Sequence, residues 1–357
     1  MLQFFQASRT SRAARHLWTI LALAASVAGT MIASGTASAQ SQKLIDAAKK
    51  EGEVVWYSSH LPPETFQLVS EAFARKYPGM KLNIVSGASA SVYQRMMQDA
   101  RMKVARADVL STATTGHFID LKKQGMLAQY APDNMSKVDP IFRTYGDDDY
   151  YYATEAVIFC IAYNSNKVAD ADAPKLWKDL LDPKWKGKIA MGSPAFSGSV
   201  AEWAAEMVKL YGWQYFETLN TQQPLIGRSV IDGVTSLVSG ERMVSPTLVG
   251  VALASAKQGN PIKVVYPDEG AVLVMMPSAI LKNAPHPNGA RLLIEFLLEK
   301  EYAAISAQAG YQPPRSDVPP APGSKITSEI KLLTMKPQES LDGTAMVVKK
   351  WQETFGN

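Results

Sequence analysis

Cysteine is all but absent. Cys160 is the single one, so no internal disulfide forms and no cysteine cluster is at hand for a metal. It lies in Ala156-Val157-Ile158-Phe159-Cys160-Ile161-Ala162, an apolar run that reads as a buried strand and makes the thiol a core residue rather than a nucleophile. Histidine is nearly as scarce, with four in 357 residues and none at metal-ligand spacing. Gly-x-Ser-x-Gly and Walker-type glycine loops are missing, and in the one Ser–His pair, Ser59-His60, adjacent side chains diverge. These absences argue against an enzyme. No excess of one charge stands out either: 37 basic residues face 33 acidic ones, without the concentrated basic surplus of a nucleic-acid binder.

No apolar run reaches the length of a membrane span. Leu17 to Ala33 comes nearest, falls short of the ~20 predominantly apolar residues required, and is diluted by Ser26, Gly29 and Thr30. Arg9, Arg12 and Arg15 precede it without an acid, and Ala37-Ser38-Ala39 follows. This is the pattern of a cleaved Sec-type signal peptide over 1–39, with no arginine pair for the twin-arginine route and no nearby cysteine to take a lipid. The mature chain is expected to begin near Gln40 and to be periplasmic. Of 37 basic residues the leader holds three, leaving 34 against 33 acids and a charge close to +1. Removing 39 of the 357 residues leaves about 318, more than one ordinary core, which suggests two lobes.

What is present alternates between strand and helix patterns, the rhythm of an α/β protein. Glu53–Tyr57 reads as a strand. Pro62-Pro63 then opens a helix with Phe66, Val69, Phe73 and Tyr77 on one face. Lys81–Val85 and Asp108–Leu110 are the next strands, each followed by a helical pattern. Three strand–turn–helix units imply parallel pairing with right-handed crossovers. Ala153–Asn164 is a longer apolar strand, and Ala271–Met276 another. Between them lie a Trp- and Lys-rich stretch, helices from about Ser199, Ser229 and Leu248, and short strands near Met243 and Lys263.

In open α/β sheets ligands bind beyond the carboxyl ends of the strands. Here those turns are crowded with small hydroxyl residues: Ser58-Ser59-His60, then Ser89 and Ser91, then Thr112 and Thr114, then Ser197-Gly198-Ser199. A helix start with free N–H groups binds an anionic oxygen without a full positive charge. Serine and threonine at such positions ordinarily cap helices, so the weight rests on four such turns aimed at one cleft. Gly198 admits close approach of backbone. Arg228 stands before a helix and has the fork that suits a carboxylate or phosphate. Tyr57, Tyr93 and Tyr266 are candidate walls, and Asp268 and Glu269 are either amine acceptors or plain turn residues.

Four stretches resemble the bacterial extracellular solute-binding proteins of transport ATPases: Val54–Ser59, Trp177–Ile189, Gly192–Ser199 and Pro267-Asp268-Glu269-Gly270. The branch they are most similar to is the ferric-ion, thiamine, polyamine and phosphonate binders. The resemblance implies a two-lobed fold, each lobe a mainly parallel sheet flanked by helices. The first lobe would hold 40–162 and 272–357 with the C-terminal helices, and the second 163–271. Crossing segments near Ile161–Asn164 and Gly270–Val274 would serve as the hinge. The ferric members hold iron with a histidine, a carboxylate and a tyrosine pair. His60 falls about one position from that histidine, Ala113 stands at the carboxylate position, and the pair would fall at Gly250-Val251. Three of four ligands are therefore missing, and a hard ferric ion requires anionic oxygens.

The expectation is a periplasmic binding protein that captures a small organic solute bearing a phosphate- or carboxylate-like group and delivers it to an inner-membrane ABC permease. It would act as a monomer, without cofactor, metal, nucleic acid or catalysis. The alternative solutes are a cation such as thiamine or a polyamine, held by Asp268, Glu269 or Glu155, and ferric ion at a non-standard site. A secreted hydrolase and a ligand-sensing receptor are the alternatives of another class.

Overall fold

The computed structural model describes residues 41–146 and 148–356. The expected leader, 1–39, lies outside them. Residues 41–47 are helical and belong to an N-terminal unit, and the second unit, Ala48–Asn357, carries every element below. Among the described residues no helix is long and apolar enough to cross a membrane.

Strand β1 (Glu53–Ser58) lies parallel between β2 (Lys81–Ser86) and β3 (Val109–Ser111). Alternation along β1 buries Val54 and Trp56 on one face. The register ends level, with Ser58 opposite both Ser86 and Ser111. The turns after all three strands therefore emerge side by side. Helix α1 (Pro63–Lys76) opens on a proline, with Glu64 in its first turn and Arg75 and Lys76 in its last, each complementing the helix dipole. It buries Phe66, Val69 and Phe73. Helices α2 (Ser89–Arg101) and α3 (Thr115–Lys123) follow β2 and β3. Tyr57, Val92, Leu110 and Phe118 form the core of this first lobe.

Two long strands, β4 (Tyr152–Asn164) and β9 (Ala271–Ile280), are buried at every position. They pair antiparallel from Tyr152↔Ser278 to Phe159↔Val272, with a register shift between Ala153 and Glu155. The end of β9 pairs with β3. The end of β4 pairs with β7 (Val244–Leu248) on one side and β8 (Ile262–Val265) on the other. One eight-stranded sheet thus runs through both halves, in the order β2-β1-β3-β9-β4-β7 with β8 and β10 (Leu332–Leu333) beside it. The expected α/β class is present, but with one shared mixed sheet in place of two separate parallel ones. Along β4 the neighbour changes from β9, last paired at Phe159, to β8, first paired at Ile161, beside the expected Ile161–Asn164.

The second lobe adds β5 (Ala190–Met191) parallel to β6 (Leu225–Ile226), and helices α4 (Gly198–Tyr211), α5 (Gln214–Thr221), α6 (Val230–Val238) and α7 (Val249–Lys257). Its core is aromatic. Trp203 stacks on Phe159 at 5.7 Å and meets Trp177 and Phe216. The Trp177–Ile189 stretch is built to dock. Asp179 accepts the N–H groups of Lys175 and Leu176, and the Trp177 indole donates to the Gly270 carbonyl at 2.9 Å.

Helices α8 (Pro287–Leu297) and α9 (Lys300–Gln308) return to the first lobe, where Phe296 packs on Phe73. The last helix, α10 (Pro337–Phe355), touches both lobes. It lies on α4 and α5 as well as α3: Trp351 meets Phe216 at 5.3 Å, and the Trp213 indole donates to Thr354 Oγ1. The expected grouping of the C-terminal helices with the first lobe thus leaves out the contact that α10 also makes with the aromatic core of the second. Trp351→Ala removes a fully buried side chain from that core. It should cost about 3–5 kcal/mol, read as a lower urea midpoint with an unchanged m-value.

Candidate functional site

The four hydroxyl-rich turns meet. Ser59 N–H donates to the Ser111 carbonyl, tying the turn after β1 to the end of β3. Ser59 Oγ and Ser89 Oγ lie 2.9 Å apart, and Ala113 N–H reaches Ser89 Oγ at 3.3 Å. From the second lobe, the first turn of α4 comes down on this cluster. A Cβ placed on Gly198 would stand 2.5 Å from Thr114 Oγ1 and 2.9 Å from Ser89 Oγ. Only glycine allows that approach. Ser197 and Ser199 present hydroxyls 3.1 Å apart beside it. Thr112 turns its hydroxyl to His117 Nδ1 at 3.1 Å, and His117 stacks on Tyr93 with centroids 3.9 Å apart. Burial pushes His117 down to about 4, so the imidazole is neutral at neutral pH.

None of the three helix starts in this cluster is capped by the side chain of its own N-cap residue. The N-cap residues are Ala88 for α2, Thr114 for α3 and Ser197 for α4, and neither hydroxyl accepts a backbone N–H of its own helix. Ser229 behaves differently. At the start of α6 the Asp232 carboxylate accepts the Ser229 N–H at 3.0 Å and the Arg228 N–H at 2.7 Å. A carboxylate of its own thus serves the start of α6, whereas the first amides of α2 and α4 have no side-chain acceptor among the described residues and α3 has one, Glu202 on the Thr115 N–H.

The remaining candidates are distributed around and away from this point. Ser58 is buried, its Oγ accepting the His60 N–H, and Ser91 is exposed on α2. His60 turns inward. Its Nδ1 lies 3.2 Å from Glu155 Oε2, within ion-pair range but outside hydrogen-bond alignment, and both side chains are fully buried. Tyr302 donates to the other Glu155 oxygen at 2.6 Å, and Tyr311 donates to the His60 carbonyl. Arg228 is exposed, its guanidinium 4.7 Å above the ring of Phe196, the residue before Ser197.

Tyr266, Asp268 and Glu269 are not brought to the cluster. The Tyr266 hydroxyl accepts from Lys325 N–H, and Asp268 is exposed. Glu269 accepts from the Trp177 N–H and the Tyr211 hydroxyl. Tyr211 ends α4 and Gly198 begins it, so that carboxylate is about 20 Å from the cluster by helix rise. Its role is to brace the aromatic core.

Two features escaped sequence reasoning. One is Glu202, a turn after Gly198 on α4, whose Oε1 accepts Thr115 N–H at 3.4 Å. The other is a glycine seam in which a Cβ on Gly250, at the start of α7, would stand 2.3 Å from the Gly310 carbonyl oxygen. Gly250 occupies the position expected for a ferric ligand pair, and Ala113 is buried with its N–H on Ser89. Among the described residues, no group of three or more His, Cys, Asp or Glu side chains is disposed to hold a metal ion.

The sequence model of the bacterial extracellular solute-binding proteins matches residues 106–336. A putative 2-aminoethylphosphonate-binding periplasmic protein of Salmonella typhimurium is 27% identical over 288 residues, covering 76% of this chain and 77% of that protein. Iron uptake protein A1 of Synechocystis is 22% identical over 303 residues, 81% of this chain and 82% of that protein. Among solved structures, the periplasmic binding protein AfuA of Actinobacillus pleuropneumoniae, with fructose-6-phosphate bound, superposes with a TM-score of 0.75 at 22% identity, covering 85% of this chain and 99% of that one. Iron-bound HitA of Pseudomonas aeruginosa gives 0.73 at 22% identity, over 84% and 98%. The fold is that of the two-lobed periplasmic binding proteins. With more than half its length matched, the chain belongs to the bacterial extracellular solute-binding proteins.

Proposed function

We propose that the solute this chain captures for its ABC transporter carries a phosphonate or phosphate-monoester group, bound where α2, α3 and α4 converge. The observation that carries this reading is the meeting of three helix N-termini not capped by their own N-cap residues, two from the first lobe and one from the second. Each contributes first-turn N–H donors, of which the Thr115 N–H of α3 is already held by Glu202, and the positive end of a dipole. The hydroxyls of Ser59, Ser89, Thr114, Ser197 and Ser199 add donors that discriminate a tetrahedral oxyanion from a bare charge. Arg228, stacked on Phe196 at the edge of the Ser193–Ser199 loop, supplies a full charge without a carboxylate partner among the described residues. The phosphonate named for the Salmonella relative and the sugar phosphate bound in AfuA have this chemistry. A cationic solute is less well served, since Glu269 is braced in the aromatic core and Glu155 faces His60 and Tyr302.

The mechanism is capture without bond making. In this structure the start of α4 rests directly on Ser89 and Thr114. The solute therefore enters when the lobes separate by bending of β4 and β9 where they change neighbours. Closure then brings the α4 donors onto an anion already held by α2 and α3, and the permease receives the closed form.

A calorimetric titration with 2-aminoethylphosphonate, fructose 6-phosphate, spermidine and ferric citrate tests the reading. Binding confined to the phosphorus-bearing probes is the expected result, with a rise in stability of about 2.7 kcal/mol at a hundredfold excess over Kd. Stabilisation by spermidine or ferric citrate alone would overturn it. Gly198→Val places side-chain atoms where Thr114 and Ser89 already stand, so the lobes cannot close. Affinity for the preferred probe should fall at least tenfold, and small-angle scattering should show no contraction on adding it. Ser199→Ala, which keeps the backbone donors, should lose less.

His117 provides an independent check of the cluster's interior. Because its folded value is depressed below the ordinary 6.5 to about 4, the neutral ring contributes stability above pH 6.5 that is lost as pH falls through 4. In urea melts from pH 7 to pH 4, His117→Gln should lose less stability than the wild type across that window.

A further inference from the structure

Helix α4 carries two residues toward the first lobe, one turn apart on the same face. Gly198 meets Thr114, and Glu202 meets Thr115. Glu202 is only 4% exposed. Its Oε1 accepts the first amide of α3 and the hydroxyl of Ser340 on α10. The junction is tight: a Cβ on Gly116 of α3 would lie 3.1 Å from the Leu341 Cα, and one on Gly343 of α10 would lie 3.0 Å from the Ala205 Cβ. A carboxylate of the protein's own thus sits at the N-terminus of α3, the same helix end that the proposed solute anion uses.

We propose that Glu202 is a proton-linked positioning residue of the solute site, and that capture of an anionic solute is accompanied by uptake of a proton at this carboxyl group. The inference rests on the anionic-solute reading above. Its physical basis is competition between like charges. An ionised Glu202 and a bound phosphonate would share one helix end about 6 Å apart, one helix turn. At that separation in a partly buried site, a like charge raises the proton affinity of a carboxylate on the order of ten- to a hundredfold.

The surroundings leave Glu202 poised to respond. Burial pushes it up to about 7, against the pull of the Ser340 hydroxyl and the Thr115 amide. Glu206, on the next turn of α4, raises it further, and is itself buried with Oε2 unpartnered among the described residues. From α10, Glu339 faces Glu206 but is paired with Lys209 of α4 at 2.8 Å. Beside α3, the Tyr145 hydroxyl bonds Thr115 Oγ1 at 2.7 Å and feels the Glu202 charge. No cation bonds to Glu202 itself among the described residues.

The test is calorimetry at pH 8, where a phosphonate or phosphate-monoester probe is itself fully ionised. Titrations of the mature chain with 2-aminoethylphosphonate and fructose 6-phosphate are run in two buffers of different ionisation enthalpy. Wild type should take up roughly half a proton or more per probe bound, and Glu202→Gln should take up none. Ser340→Ala removes a bond that favours the ionised form, so its uptake should shrink at pH 8 and reappear at higher pH. Binding with equal proton uptake in wild type and Glu202→Gln overturns this inference alone. Absence of binding heat for every anionic probe overturns the solute reading and this inference with it. A ligand-free arm reads the same carboxyl group without any solute. With its folded value raised above the unfolded one, wild type should lose stability as pH rises from about 4.5 to about 7. Glu202→Gln should lack that loss, and an identical loss in both proteins counts against the inference.

Discussion

The pairing of β4 with β9 is the constraint from which the rest of the molecule follows. Both strands are buried along their whole length, and each belongs to both lobes: β9 meets β3 at one end and β10 at the other, while β4 leaves β9 to join β7 and β8. Their mutual hydrogen bonds keep the crossing from being two independent linkers. A bend there changes the angle between the lobes while leaving each core intact. Glu155 occupies the register shift in β4 and draws His60 inward. The ligand-side turn after β1 is thereby anchored to the crossing itself, and Tyr311 reinforces the link through the His60 carbonyl.

The level ends of β1, β2 and β3 explain why the site is made of turns. With Ser58, Ser86 and Ser111 in register, the three following segments have no room to diverge, and small residues are needed where they touch. Hydroxyls are the economical choice at such a point. They fill little volume, satisfy one another across turns, as Ser59 and Ser89 do, and can rotate toward an incoming acceptor. Glycine serves where even a hydroxyl is too large. Gly198 on Ser89 and Thr114, and Gly250 on Gly310, are two places where the second lobe brings backbone against the first.

Much of this was legible in the sequence, because it follows from local rules. Strand–turn–helix rhythm identified the α/β class, and the crowding of serine, threonine and glycine after predicted strands pointed to the turns that converge. Long-range packing was not legible. The amphipathic pattern of α10 shows that it buries Trp351 but not which lobe receives it. Nothing in the Pro267–Gly270 turn distinguishes a solvent-facing Glu269 from one bonded to Trp177 and Tyr211. The inward orientation of His60 depends on Glu155, ninety-five positions away. Glu202 was invisible for the same reason: a glutamate in a helix with mixed neighbours reads as solvated unless its partners Thr115 and Ser340 are known.

Electrostatically the site is built from partial charges. In the proposed reading, helix ends and hydroxyls balance one anion without the desolvation cost of burying several lysines or arginines, and the one full charge, Arg228, stays exposed to solvent. Such a site has one weakness, which is that its donors point at one another when no solute is present. Three positive helix ends pressed together repel unless something negative lies between them. Glu202 supplies that charge from within α4, bridging α3 and α10. Its burial makes the charge easy to remove by protonation, so the protein's own anion can yield to the solute's without leaving its place. An arginine-lined cleft would bind a phosphorylated solute more tightly. It would also hold it more stubbornly against release, and the proposed reading requires both capture and release.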